Sequence, residues 1–567
     1  MSLLRQWRYL LLTLFAITAL TAVAACGDDD DDTSGGTASP GASQTEGEDG
    51  DLAEDQSLTV RLAGEPQHLD PQLTGFDVDL SMIKQLWRGL LYYDGPDLNI
   101  VPSVATAVPS TENGGISDDG LTYSFSLRDD ATWSDGEPVV AQNFVDAFKR
   151  LFDPNIGATG YYYSFYTAIV GAEEAVAGTG SVDDIGVTAV NDYTLEIKLT
   201  REQPTMLALI AMWPAFPIRQ DLIDANGDQW TEAGKLVGNG PFIMTEWEHT
   251  DHVTMEANPN YWGDDKPTLQ TLTFRMQPDE AAALISYDND ELDVTPIPLP
   301  DTASFEGDAE QIKFPELGIF ALEFNNESPP FDNPDVRKAF GTAVDRDTYI
   351  SAVRGGVGRA ATGWLPPGIP GFLEERGSAY AFDPEKAKEF LTDAGYPNGD
   401  GLPAVKVTIA DSQGGRLAGE FLKEQISQNL GVEIEIEILE SETYETRYNV
   451  SDFQMVFGGW GADYADPENF LPNLFGTGAS GNQYKYSNPE VDDLFAQAAV
   501  ELDNDKRIEL YQQAEAIIID EDLGVAPIFN RVRNWLVKDY VDGLDLTGLD
   551  GNVIGDWFFT HVKIKQH

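Results

Sequence analysis

The segment VEIEIEIL (Val432–Leu439) alternates apolar and acidic residues without a break, the period of a strand with one face buried. AVKVTIA (Ala404–Ala410) shows the same alternation upstream. Between them, RLAGEFLKEQISQNLG places Leu422, Ile426 and Leu430 on one helical stripe, and Gly431 supplies a natural stop. Strand, helix and strand within about 36 residues make a βαβ unit, with parallel strands and a right-handed crossover. A second helix is predicted over 442–449, ahead of the apolar strand FQMVFGGW. The stretch GGWGADYADP (Gly458–Pro467) thus follows the carboxyl end of a strand in an α/β sheet, the edge where such sheets take ligands.

The same reading places further elements. In NPDVRKAFGTAVDRDTYISAV, Pro334 sits in a first turn behind Asn333, and Val336, Phe340 and Val344 recur at helical spacing. DPEKAKEFLTDAGYP predicts a helix from Asp383-Pro384 to Gly395. LTYSFSLR (Leu121–Arg128) predicts a strand, a turn follows at Ser134-Asp135-Gly136, and FVDAFKRLF (Phe144–Phe152) an amphipathic helix. VTMEANPNYW and TLQTLTFRM predict more strands, and no internal repeat is present.

A chain of 567 residues exceeds one core, and usual domain sizes give about two to four domains. The formal charge of −61 excludes nucleic acid as a natural partner, because phosphates need basic surface. Part of that charge sits in Gly27–Gln56, which has 11 acidic and no basic residues and reads as a disordered tether. A flexible chain of that length spans about 30 Å r.m.s.. The single cysteine, Cys26, excludes an internal disulfide. Before it lie Arg5, Arg8 and an apolar run from Tyr9 to Ala25, the layout of a signal peptide. Val23-Ala24-Ala25-Cys26 resembles a bacterial lipobox, which implies cleavage after residue 25 and a lipid on Cys26. After Cys26 no apolar run is long enough to cross a bilayer, since Met206–Ile218 is short and broken by Pro214 and Pro217. The body is expected outside the cytoplasm, tied to a membrane face.

The chain has no phosphate-binding loop, no H-E-x-x-H and no G-x-S-x-G, so enzyme chemistry and a cofactor are not expected. Among so many acids, a carboxylate pair at glycosidase spacing arises by chance. His249 and His252 read as solvent-facing. Asp463 stands between Trp460 and Tyr464, where desolvating a carboxylate is unfavourable. Two roles are open for it: tying the glycine-rich turn, or meeting a positive charge from outside the chain. Asp466, ahead of Pro467, reads as a turn residue.

Four stretches resemble the extracytoplasmic solute-binding proteins of peptide-type ABC importers. They are LAGEPQHLDPQL (Leu62–Leu73), DGLTYSFSLRDDATWSDGEPVVAQNFVDAFKRLFDP (Asp119–Pro154), VGNGPFIMTEWEHTDHVTMEANPNYW (Val237–Trp262) and FNNESPPFDNPDVRKAFGTAVDR (Phe324–Arg346). They come in family order over a likeness running from Ser57 to the end. One departure is Val140, where members often carry a helix-capping threonine.

The resemblance implies a two-lobed α/β fold of the type II periplasmic-binding-protein kind with an inserted subdomain. Lobe I would comprise 57–77, 214–315 and 531–567, lobe II 78–213 and lobe III 316–530, with hinge crossings near Pro315 and Asn530. A monomer would close on an extended peptide and deliver it to permease subunits served by separate ATPases. The aspartate of the family's GW-x-ADY motif pairs with the peptide α-ammonium, and Asp463 stands there. Gly459 and Gly461 would let the ligand main chain approach, with Trp460 as an apolar wall and Tyr464 beside it. Glu65 would meet the peptide main chain, and Tyr161 and Tyr162 would line the cleft or pack in a core. Phe457 replaces an arginine of some members, which leaves Arg354 as the candidate for the ligand carboxylate. The alternatives are a non-peptide solute (nickel complex, haem, opine or oligosaccharide), a peptide-sensing receptor, or an extracellular hydrolase.

Overall fold

The computed structural model describes residues 52–160 and 162–567. The signal segment, Cys26, residues 27–51 of the expected tether and Tyr161 lie outside the described residues. Residues 52–56 do not belong to a tether: Leu52 bridges Lys565, Ala53 N–H donates to the Ile564 carbonyl, and the buried Gln56 side chain donates to the same carbonyl (2.9 Å).

The predicted βαβ unit is present. Strands Val405–Ala410 and Ile434–Leu439 pair in parallel, from Val405 opposite Ile434 to Ala410 opposite Leu439. The helix between them, Gln413–Leu430, buries Leu422, Ile426 and Leu430 and ends on Gly431 in the left-handed region (φ 71°). It starts earlier than its apolar stripe suggests, because the Ser412 hydroxyl accepts from Gly415 N–H and caps it.

These strands belong to one large mixed sheet. We label its main strands β1 (Ser57–Leu62), β2 (Phe242–Glu248), β3 (His252–Ala257), β4 (Thr271–Met276), β5 (Val294–Pro296), β6 (Gln311–Phe324), β7 (Val405–Ala410), β8 (Ile434–Leu439), β9 (Met455–Gly461) and β10 (Val525–Val537). Their order is β8-β7-β9-β6-β10-β5-β1-β4-β3-β2. The long antiparallel pair β6 and β10 joins the two halves, and its register shifts between Pro315, opposite Val532, and Ile319, opposite Asn530. Glu316 lies in that irregular stretch and is held by Arg531 Nη1 (3.0 Å) and Arg533 Nε (3.3 Å). A separate antiparallel sheet is built from Thr122–Ser126, Thr194–Lys198 and Val187–Asn191.

Two expectations change. The stretch 334–353 forms two helices, Pro334–Thr342 and Arg346–Ala352, because the Asp345 carboxylate accepts from Thr348 N–H and starts a new helix. The helix after Val140 spans Ala141–Leu151, and the Asn143 side chain accepts from Val140 N–H (2.9 Å), so its first turn is tied without a threonine. Among the described residues no helix is long and apolar enough to cross a membrane.

Candidate functional site

Strand β9 pairs with β6 along its whole length but with β7 only through Met455 and Val456. Phe457–Gly461 therefore presents a strand edge unpaired on the β7 side. Just past that edge the chain turns through Ala462–Asp466 into a short helical turn, Pro467–Asn469.

Asn469, fully buried, ties the turn together. Its Oδ1 accepts from Asp463 N–H (2.9 Å) and Trp460 Nε1 (3.1 Å), and its Nδ2 donates to Asp463 Oδ2 (2.9 Å). The Tyr162 hydroxyl donates to Asp463 Oδ1 (3.1 Å). Both donors are neutral, and among the described residues no lysine or arginine pairs with this carboxylate. Burial pushes its pKa up to about 6; the bonds from Asn469 and Tyr162 pull the other way, and the charge of Asp77 adds to the rise. Asp466 differs. Its two oxygens receive Arg507 Nη1 (2.8 Å) and Nη2 (2.6 Å), and Oδ1 accepts from Glu468 N–H (2.9 Å). Of the two acids in ADYADP, one is neutralised and the other keeps an uncompensated charge.

Asp463 opens onto a cavity of ≈ 480 Å³ walled by Gly75, Asp77, Tyr162, Trp213, Trp460 and Gly461. Glu316 and Asp550 add carboxyl groups to it, against Lys84 and Arg531. Both cations are already paired: Lys84 with Asp556 (2.8 Å) and Arg531 with Glu316 (3.0 Å). Asp550 is pushed up to about 7 by burial and by neighbouring Asp556. The cavity is thus anionic, with room for a cation.

A second cavity of ≈ 440 Å³ meets the first at Trp460 and Tyr448 and has an aromatic wall of Phe320, Tyr349, Phe457 and Phe529. A third, of ≈ 840 Å³, shares Arg531 and Glu316 with the first and Arg354 with the second, and it holds Arg61, Arg354, Arg531 and Arg533. Arg354 lies over the Phe529 ring at 5.1 Å and pairs with no carboxylate among the described residues; burial lowers its pKa. The third cavity is also lined by Asp279, Glu280, Asp301 and Glu316, so its charges are mixed, whereas the Asp463 end is acidic.

The sequence-predicted residues divide accordingly. Asp463, Trp460, Gly461 and Tyr162 line the first cavity, and Gly459, Trp460 and Arg354 the second. A Cβ on Gly459 would lie 2.1 Å from the Ile319 carbonyl oxygen, so this glycine is needed for strand packing as well. Tyr464 lies in the core, 2% exposed, with its ring edge-on to Phe165 at 5.8 Å. Glu65 is engaged by the β2–β3 hairpin, accepting from Trp247 Nε1 (3.1 Å) and Thr250 N–H (2.6 Å) and contacting His249 Nδ1 (2.7 Å), and it lines none of the three cavities. His249 is exposed, as expected, but it is flanked by Glu65 and Glu232. Sequence reasoning missed Asn469, for which the only signal is its place two residues after Pro467 in the same turn, and Asp77, the first residue of the helix Asp77–Leu86.

Residues 99–482 match the family model described as bacterial extracellular solute-binding proteins, family 5, middle region. The chain is 32% identical to the oligopeptide-binding protein OppA of Bacillus subtilis over 572 aligned residues, covering 98% of this chain and 99% of that protein. Among solved structures, a periplasmic oligopeptide-binding protein of Borrelia burgdorferi is similar with a TM-score of 0.78 at 27% identity, covering 90% of this chain and 100% of that one. Haemophilus influenzae OppA, solved in complex with the peptide RPPGFSPFR, is similar with a TM-score of 0.76 at 27% identity, covering 91% of this chain and 100% of that one. With its two-lobed α/β fold, the chain belongs to the family 5 bacterial extracellular solute-binding proteins.

Proposed function

We propose that this protein is the peptide-capturing component of an ABC importer, taking oligopeptides or dipeptides by their free amino end. The observation that carries the reading is the uncompensated Asp463 carboxylate at the end of a half-paired strand edge. A peptide has the two features such a place lacks: an ammonium for the half-buried anion, and main-chain donors and acceptors for the Phe457–Gly461 edge. Trp460 forms the wall between the first two cavities, and Arg354 receives the ligand carboxylate. The bound relative from Haemophilus influenzae, whose ligand is a peptide, supports the same choice.

The proposed lobes are 57–77 with 214–315 and 531–567, 78–213, and 316–530, with the hinge in β6 and β10. The register shift between Pro315 and Ile319 supports a flexure there. The closed monomer presents its lobes to a membrane permease whose separate ATPases supply the energy; this chain selects and delivers, turning nothing over. A lipid on Cys26 holds it to the outer face of a membrane through the acidic stretch 27–51.

Native mass spectrometry of the protein as purified from its host tests the reading. Masses of bound short peptides, displaced by added Ala-Ala-Ala, are expected. A co-purified metal chelate, haem or sugar that added peptide does not displace would refute it.

A further inference from the structure

The first cavity holds a second carboxylate that nothing in the chain meets. Asp77 opens the helix Asp77–Leu86 and lines the cavity together with Asp463. Its main chain is fixed: the Asp77 carbonyl accepts from Asn552 N–H (3.3 Å) and from the Ser81 hydroxyl (3.4 Å). Its side chain is exposed, and among the described residues it accepts no hydrogen bond and pairs with no lysine or arginine. The helix N-terminus favours a negative charge at that place, and Asp463 feels it, since Asp77 adds to the rise of its pKa.

The other charges around the cavity are answered from within the chain. Lys84 is held by Asp556 (2.8 Å), and Arg531 by Glu316 (3.0 Å). Arg533, behind them, feels Asp77 at a distance but makes its contacts to Glu316 (3.3 Å) and to the Asp550 carbonyl (2.9 Å). The buried Asp550 carboxyl accepts from the Thr547 hydroxyl (2.8 Å) and from Gly555 N–H (2.7 Å). Asp463 and Asp77 remain, two anions facing one space of ≈ 480 Å³. A single ligand ammonium on Asp463 answers only one of them.

The chemistry of a peptide says what answers the other. With the amino end at Asp463, the side chain nearest the cavity is the first one, and an extended lysine carries its second ammonium about 7 Å from the first. Tyr162, Trp213 and Trp557 in the wall suit an apolar stem that ends in a charge. Resting on the peptide reading above, we propose that Asp77 is a specificity-determining residue, selecting peptides whose first residue is lysine or arginine. The effect is modest, because Asp77 is open to solvent and salt. It is also local, which separates it from the pull that a chain of charge −61 exerts on any cationic peptide. A second-position side chain leaves an extended ligand on the opposite face.

Calorimetry with tripeptides tests the inference. Lys-Ala-Ala is compared with norleucine-Ala-Ala, its uncharged near-isostere, and Ala-Lys-Ala with Ala-norleucine-Ala. At low salt, lysine should tighten Kd about three- to fivefold at the first position and less than about twofold at the second. In about 0.5 M salt the first-position gain should fall below about twofold. In Asp77→Asn, whose fold is checked by its melting temperature, the gain at low salt should drop to that of the second position. Equal affinity for lysine and norleucine at the first position overturns the inference, as does a gain that survives Asp77→Asn. A lysine gain equal at both positions reflects net charge alone and overturns it too; this comparison, made on the unaltered protein, decides the matter if the variant does not fold. If Ala-Ala-Ala also fails to bind, the peptide reading falls with it; if Ala-Ala-Ala binds and a leading lysine is not preferred, only this inference falls.

Discussion

Replacing Asp463 by asparagine keeps the shape of the ammonium pocket and removes its charge. The new side chain can still accept from Asn469 Nδ2 and meet the Tyr162 hydroxyl, so the turn stays tied. The lost partner is the ligand's ammonium, and truncating one side of a desolvated charge pair costs about 3 kcal/mol, or ~100-fold in Kd. Stability moves the other way. The folded-state pKa of about 6 lies above the ordinary value of 3.8, so ionising Asp463 costs the fold; that cost is absent below the unfolded value and grows as pH rises to about 6. Two pKa units set its ceiling at roughly 3 kcal/mol, which the asparagine variant regains at neutral pH. The same shift makes capture pH-dependent. Below about 6 the free carboxyl is protonated and must release that proton before pairing, so affinity should fall toward tenfold per pH unit in the unaltered protein and stay flat in the variant. Calorimetry with Ala-Ala-Ala and its N-acetylated form, beside thermal melts from pH 5 to 8, measures all of this. Equal affinity for acetylated and free tripeptides would refute the reasoning, as would an unchanged Kd in Asp463→Asn.

Further outcomes follow from neighbouring contacts. Asn469→Ala removes three hydrogen bonds at once and leaves Asp463 half-held; a loss of roughly 2–3 kcal/mol in denaturant melts and weaker peptide binding are expected. Arg507→Ala strands the Asp466 carboxylate, and melts should show about 3–5 kcal/mol of destabilisation that shrinks when Asp466→Asn is added. Gly458→Ala places a methyl against Glu323 Oε2 and should cost roughly 1–3 kcal/mol, less in a Glu323→Ala background, as a double-mutant cycle would register. Cys26→Ser should release the protein from the membrane fraction of its host into the soluble one; retention would argue against a lipid there.

What the sequence revealed tracks how local each cause was. The βαβ unit was legible because alternation, one apolar stripe and a left-handed glycine all lie within a single stretch. Asp463 stood out because an acid among aromatics has few cheap explanations. Glu323 did not: in FALEF its alternation reads as a solvent-facing position, and only the closure of β9 and β10 on either side buries it. Tyr464 beside the site is core because Phe165, three hundred residues away in the chain, packs on its ring. Glu65 is claimed by a hairpin whose approach no local pattern announces. The break at Asp345 has an N-cap aspartate as its signal, masked by the helical spacing of Val336, Phe340 and Val344 that runs right up to it.

A crystal structure with bound Ala-Lys-Ala bears most directly on the peptide site. It should place the ligand's leading nitrogen about 3 Å from a carboxylate oxygen of Asp463, with the main chain laid along Phe457–Gly461. A tripeptide seated elsewhere, or one whose amino group faces bulk water while Asp463 keeps only Tyr162 and Asn469, would contradict it.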